Sequence, residues 1–319
     1  MMSAQYLRIL YYGAGWPTNI GNAFIDFGAQ AILRLAVPSA QIAFASEMPR
    51  WFFRHARRES PADVAGNMDF AFDVAAVSQC DLVVVSGMAM CREFVQVNGP
   101  TLLKLSARGV PVLLLGTGAE HYTPEEEASY GQLMQQLDIL GFVSRDEQSF
   151  TTFASRVKRA ARGIDCAFFL TDAFVPLTLD LPPFVVAAFD TSDEPALELR
   201  DRPLVRAHHE CWGAVPSAYV RHPHTLVSDL PQDYLTLYAN ADEVHSDRVH
   251  ACIAALAFGR KARLYHPTPR GSLFSAVGAA EIRQRLVQLD PAAMSEKKAA
   301  QVTFVRGLLE ERFGARARG

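Results

Sequence analysis

The chain has 319 residues, half of them hydrophobic and a fifth charged, with a net charge of −3. That is long enough for two domains with cores of their own and too apolar for a disordered chain. A faintly acidic balance gives no support to nucleic acid or an anionic membrane as the partner. The short basic clusters at 54–58, 156–162 and 312–318 lack interleaved aromatics and read as solvated faces.

From the N-terminus, short β-branched and Leu-rich runs alternate with helical patterns, which predicts an α/β protein with parallel sheets. Strands are predicted over 7–12, 41–45, 82–85, 110–115 and 141–143, with a further one over 167–170. A glycine-rich loop, Tyr12-Gly-Ala-Gly-Trp-Pro-Thr-Asn-Ile-Gly-Asn22, follows the first strand and leads into a helix over 23–35; it fails the GxGxxG fingerprint. Three prolines in Val175-Pro-Leu-Thr-Leu-Asp-Leu-Pro-Pro183 break the pattern, and a strand-like run restarts at 184–189. The division is therefore drawn at 1–180 and 181–319, with the second domain the smaller. Its strands are predicted over 204–207, 225–227, 243–245 and 262–265, and an amphipathic helix over 295–313 closes the chain. In open α/β sheets ligands bind beyond the C-terminal strand ends, so the cleft between two such domains is the expected site.

Several sequence features exclude whole classes of chemistry. The five cysteines have no CxxC spacing, so reduced thiols in a cytoplasmic protein are expected. The longest apolar runs, such as Val110-Pro-Val-Leu-Leu-Leu115, fall well short of the roughly 20 residues a bilayer span needs. The N-terminus does not read as a signal peptide. Paired histidines at His208, His209 and His222, His224 supply no three-ligand zinc pattern, and no Gly-x-Ser-x-Gly elbow occurs.

The stretch Ser246-Asp-Arg-Val-His250 opens an apolar helix ending at Phe258, with Gly259 as its C′ residue and Ser246 or Asp247 as its N-cap. A cation at a helix N-terminus is disfavoured by about 0.3–1 kcal/mol unless solvated or matched by an anion, so Arg248 and His250 point to a phosphate or carboxylate ligand. Residues at i and i+2 diverge on a formed helix. They converge only if Arg248 lies in the extended entry and His250 in the first turn. Arg206, at a strand end in the same domain, is a candidate second phosphate contact. Glycine-bearing strand ends at Ser86-Gly87 and Gly116-Thr-Gly-Ala-Glu120 offer backbone N–H groups to a phosphate or sugar. Arg145-Asp146 reads equally as a ligand clamp or a buried ion pair, and Asp165 as a cap or a site residue.

In chain order Asn19-Ile-Gly-Asn22, Ser86-Gly-Met88, Gly116-Thr-Gly118, Arg145-Asp-Glu-Gln-Ser149, Asp165-Cys-Ala-Phe168 and Ser246-Asp-Arg-Val-His250 resemble the motifs of the polysaccharide pyruvyl transferase family. Asn22 stands where the family has Asp, Met88 where it has Gly, and Cys166 where it has Pro. The resemblance implies two Rossmann-like domains facing a cleft, as in GT-B glycosyltransferases. It implies transfer from phosphoenolpyruvate, as co-substrate with no metal or cofactor, onto saccharide hydroxyls to form a pyruvate ketal in exopolysaccharide biosynthesis. His250 and Arg248 are then the catalytic pair, and Ser246 and Arg206 lie with them on the donor side. Asn19, Gly21, Asn22, Gly118, Glu120 and Arg145 bind substrate, the first and third loops serving the acceptor in the N-terminal domain. A nucleotide-sugar glycosyltransferase of the same fold and an inactive saccharide-binding member remain alternatives.

Overall fold

The computed structural model describes residues 6–16, 19–46, 77–87, 89–209 and 223–318. Met88, Cys211, His222 and the basic cluster at 54–58 lie outside them. The elements in order are β1 (Arg8–Gly13), α1 (Gly21–Ala36), β2 (Gln41–Ser46), β3 (Leu82–Gly87), α2 (Arg92–Ala107), β4 (Val112–Thr117), α3 (Pro124–Gln136), β5 (Ile139–Ser144), α4 (Glu147–Phe153) and β6 (Ala160–Arg162). There follow α5 (Leu170–Ala173), β7 (Val185–Ala188), β8 (Leu204–Ala207), β9 (Thr225–Leu226), α6 (Pro231–Asn240), β10 (Glu243–Ser246), α7 (Val249–Ala257), β11 (Lys261–Leu264) and α8 (Pro291–Phe313).

Two compact units result. The first comprises Met1–Gly15, Ile32–Gly163 and Ala300–Gly319; the second comprises Trp16–Ala31 and Ile164–Ala299. The division falls at Gly163, ahead of the proline-rich stretch. That stretch belongs to the second unit because Leu179 N–H donates to Asn240 Oδ1 and Asn240 Nδ2 donates to Leu177 O, fastening it to α6. The Asn19–Asn22 loop, assigned from sequence to the N-terminal domain, likewise belongs to the second unit.

In the first unit all six strands pair in parallel, in the order β2-β1-β3-β4-β5-β6. β3 and β4 are near-continuous apolar runs, as strands covered on both faces require. Helix starts carry their own caps: Thr123 Oγ1 accepts from Glu126 N–H ahead of Pro124, and Asp146 Oδ1 accepts from Ser149 N–H.

The second sheet is also parallel, in the order β11-β10-β7-β8-β9. From β7 the chain runs outward to β9, then returns to β10 on the other side. The strand order therefore reverses between β7 and β10, the place where open α/β sheets bind ligands. The strand expected over 167–170 is instead a 3-10 turn, Cys166–Phe169, running into α5. All four residues of that turn are buried, and a short apolar run does not distinguish a strand from a buried helical turn. Two local features decide it: Asp165 Oδ1 accepts from Ala167 N–H at 2.9 Å, and α1 abuts the Cys166 carbonyl at Gly28, where no Cβ fits.

Candidate active site

At the strand-order reversal the ends of β7 and β10 are locked together. Ser246 Oγ donates to Ala188 O at 2.7 Å and accepts from Arg248 N–H at 2.8 Å. The Asp247 carboxylate accepts from the N–H groups of Asp190, Thr191 and Ser192 and from both hydroxyls, at 2.7–3.2 Å. Burial pushes the Asp247 carboxyl up, but these donors outweigh it and hold its pKa below the ordinary value. Neither Ser246 nor Asp247 caps α7. The N-cap is Arg248, with φ −98 and ψ 120 and no side-chain cap bond, because both neighbours serve the β7 loop.

Arg248 is therefore extended and His250 lies in the first turn of α7. Arg248 Nε lies 3.7 Å from Asp190 Oδ2, and its side chain is 15% exposed. Asp190 also receives His209 N–H at 3.0 Å and faces His208 Nδ1 at 3.1 Å. His250 Nε2 lies 3.8 Å from Asp165 Oδ2, a carboxylate with no solvent exposure. The other edge of the ring faces the first loop: a Cβ on Gly21 would come 3.0 Å from His250 Cβ and 3.3 Å from Nδ1. Glycine at this position lets the loop lie on the imidazole.

The loop is fixed by Asn19 Oδ1, which accepts from Gly21 N–H at 3.0 Å, and by Ile20 N–H, which donates to His209 O at 3.1 Å. Asn22 follows as the second residue of α1, half-buried. His209 itself packs edge-on against Phe24 and Tyr234 and bonds the Tyr238 hydroxyl. Burial, reinforced by Arg248 and His250 against the opposing pull of Asp190, lowers its pKa to about 3. It is a neutral ring beside two cationic candidates.

Arg206 stands apart, with Nε and Nη2 held by the two Glu194 oxygens at 2.8 and 2.9 Å. Asn19, Gly21, Asn22, Ser246, Arg248 and His250 thus gather in the second unit. Gly118, Glu120 and Arg145 gather separately in the first. There the Arg145 side chain is 1% exposed, its Nη2 donates to Ala119 O at 2.8 Å, and its Nε is 3.8 Å from Asp146. Gly118 lies against that guanidinium and Ser149 with no room for a Cβ. The Glu126 carboxylate accepts the N–H groups of Glu120, His121 and Tyr122 at 2.6–3.1 Å, and Tyr122, its pKa raised by burial to about 12, donates to Asp146. Of the N–H groups expected to be open to a ligand, that of Glu120 is held by Glu126 and that of Gly118 donates to Gly87 O. Sequence reasoning did not single out Asp190 and Glu126, and it read Asp247 only as a possible cap of α7. Their only signal is a carboxylate just past a strand end or at the N3 position of a helix.

Two parallel-sheet α/β units of this kind define the GT-B type of fold. Solved structures with that architecture include S. aureus MnaA with UDP (TM-score 0.54, 11% identity, 98% of this chain and 91% of that one). UDP-GlcNAc 2-epimerase from Neisseria meningitidis with UDP-GlcNAc gives 0.52, 13%, 98% and 94%. The corresponding enzyme from Methanocaldococcus jannaschii gives 0.52, 10%, 93% and 100%. At these identities the likeness shows the fold alone. The sequence matches the family model described as polysaccharide pyruvyl transferase over residues 19–264, and the chain belongs to that family. A comparison with curated proteins finds no match. Among the described residues no helix is long and apolar enough to cross a membrane.

Proposed function

We propose that the chain transfers the pyruvyl group of phosphoenolpyruvate onto two hydroxyls of a saccharide, forming a ketal and releasing phosphate. The observation that carries this reading is the pairing of Arg248 and His250 at the start of α7, beside the strand-order reversal of the second sheet. A helix N-terminus with an arginine at its cap suits a phosphate or carboxylate. Arg248 is anchored through the Nε edge at Asp190 and binds the donor anion. His250, with Asp165 behind Nε2, presents its Nδ1 edge on the side of the Asn19–Gly21 loop. Imidazole is the side chain best able to pass a proton near neutral pH, and the Asp165 carboxylate beside Nε2 favours its protonated form.

In the reaction a proton adds to the methylene carbon of phosphoenolpyruvate, making it a methyl group and leaving a cationic carbon. One saccharide hydroxyl adds there and loses its proton; the C–O bond to phosphate breaks; the second hydroxyl adds and loses its proton. His250 supplies the first proton, and Asp165 stabilises the imidazolium.

The test is turnover in D2O with phosphoenolpyruvate and a panel of saccharide diols, read by NMR. The reading expects one phosphate released per ketal formed and one deuterium in each product methyl. Release of phosphate without ketal, or turnover of a nucleotide sugar with phosphoenolpyruvate untouched, contradicts it.

A further inference from the structure

The two faces of the second sheet differ in kind. The right-handed crossovers β9-α6-β10 and β10-α7-β11 put both helices on one face, and the residues Val186, Ala188, Val244, Ser246, Ala262 and Leu264 alternate onto a single face of β7, β10 and β11. The opposite face carries a row in lateral register, Arg263–His245–Ala187–Arg206–Thr225. Parallel strands are normally apolar on both faces because helices cover both. Here the β7–β8 connection, 189–203, contains no helix, and a cavity of about 330 Å³ lies between it and β10 and β11.

The cavity is lined by Glu243, His245, Arg263, Tyr265, Arg200 and Arg285, among others. Most of its charges are answered. Glu243 receives Arg202 at 2.9 Å, Arg200 lies 3.6 Å from Glu198, and Arg285 pairs with Glu281. Arg206, further along the row, is held by Glu194. Arg263 differs: its guanidinium lies over the Tyr265 ring at 4.7 Å, its Nε is buried without a hydrogen-bond acceptor, and it forms no ion pair with a described carboxylate. A half-buried guanidinium that, among the described residues, meets Tyr265 alone, faces no carboxylate partner and keeps one N–H without an acceptor suits an anion in a polar cavity. The rest of the lining, with the Tyr265 hydroxyl bonded to His245 Nδ1 at 2.9 Å and the Glu243 carboxylate 3.7 Å from His245 Nε2, offers donors and acceptors suited to hydroxyls. Burial lowers the pKa of His245, so it serves as a neutral ring.

We infer that this cavity is a second ligand site, separate from the Arg248–His250 strand end, that takes a phosphorylated monosaccharide with its phosphate on Arg263. The volume sits at the small end of ligand pockets, roughly 300–1,000 Å³, and so fits one sugar ring with a phosphate. The inference does not depend on pyruvyl transfer at Arg248 and His250.

Calorimetric titration with glucose 6-phosphate, inorganic phosphate and glucose tests it, carried out on the Arg248→Ala variant so that the first anion site does not contribute. One saturable site is expected, at least ten-fold tighter for glucose 6-phosphate than for phosphate or glucose alone. Adding Arg263→Gln weakens it about ten-fold or more, as loss of a charge-assisted hydrogen bond does. Arg285→Gln, at an exposed rim position whose pair with Glu281 should add little to stability, weakens it about three-fold through lost attraction alone; this variant carries the test if Arg263→Gln does not fold. Absence of saturable binding in the Arg248→Ala protein overturns the inference, as does binding that neither substitution changes. Phosphate binding as tightly as glucose 6-phosphate overturns the assignment of a sugar.

Discussion

Two strand-end clusters, one in each unit, are built from the same residue types and do different work. In the first unit Gly118, Arg145 and Asp146 sit at the ends of β4 and β5, away from the reversal between β1 and β3, and every polar group named there is turned inward. In the second unit Arg248 and His250 sit at the reversal between β7 and β10, where the carboxylates of Asp190 and Asp247 hold backbone and leave Arg248 partly exposed. An arginine in a strand-end motif therefore says little by itself. Its position relative to the strand-order reversal, and whether its donors are already spent, separates a brace from a ligand group.

The largest expected effect lies in the second cluster. His250→Ala should lower kcat for ketal formation by roughly 10²–10⁴, the usual contribution of a positioned acid. Asp165→Asn should lower it by about 10–100-fold while leaving the KM for phosphoenolpyruvate within about three-fold, since that side chain acts through the imidazole. Equal loss of KM and kcat in both variants would make His250 mainly an anion ligand. The opposite asymmetry should appear in stability. Arg145→Ala strands a buried carboxylate and the Ala119 carbonyl and should cost about 3–5 kcal/mol in denaturant unfolding, whereas Arg248→Ala should cost about 1 kcal/mol, because that side chain is 15% exposed and water can replace it beside Asp190. Similar costs for the two would erase the distinction drawn above.

A third effect reads the neutral ring beside the site. The folded pKa of His209, about 3, lies below its ordinary value of 6.5. Between the two the unfolded chain binds the proton and the folded chain does not, so stability falls as pH drops from about 6.5 to about 3 and this contribution is constant below. His209→Gln should flatten the slope of unfolding free energy between pH 6 and pH 4 by about 1.4 kcal/mol per pH unit. An unchanged slope would mean that the ring protonates in the folded protein. The smallest effect is Asn22→Asp, which restores the residue typical of the family in the first turn of α1 and should stabilise by about 0.3–1 kcal/mol. Because this loop lies on His250 in the second unit, the change should alter phosphoenolpyruvate affinity as well; a purely acceptor-side effect would separate the loop from the donor.

Most of the strand pattern was legible, since runs such as Val83-Val-Val85 and Leu113-Leu-Leu115 admit few other readings once turns bound them. Residues 167–170 were not, because the cap at Asp165 and the close approach of Gly28 act through tertiary structure. The division of the chain was misplaced for a similar reason: prolines mark an extended stretch, but hydrogen bonds to Asn240 decide which unit owns it. Arg248 and His250 were legible from the conflict between cations and a helix N-terminus. Asp190 was not, and Asp247 was read only as a cap, because the two meet only through the pairing of β7 with β10, which strand periodicity does not reveal. The polar face of the second sheet was equally hidden, since Glu243-Val-His245 alternates as any half-exposed strand does.

If the α7 entry binds phosphoenolpyruvate through Arg248, a melting curve registers it. At a hundred times Kd a ligand bound only by the folded state adds about 2.7 kcal/mol, which raises Tm by roughly 5 °C for a chain of this size. The wild type should show that shift and Arg248→Ala should lose it, with a Tm without ligand near that of the wild type. No shift with millimolar phosphoenolpyruvate, or the same shift in both proteins, would contradict it, and a shift with a nucleotide sugar in its place would point to glycosyl transfer.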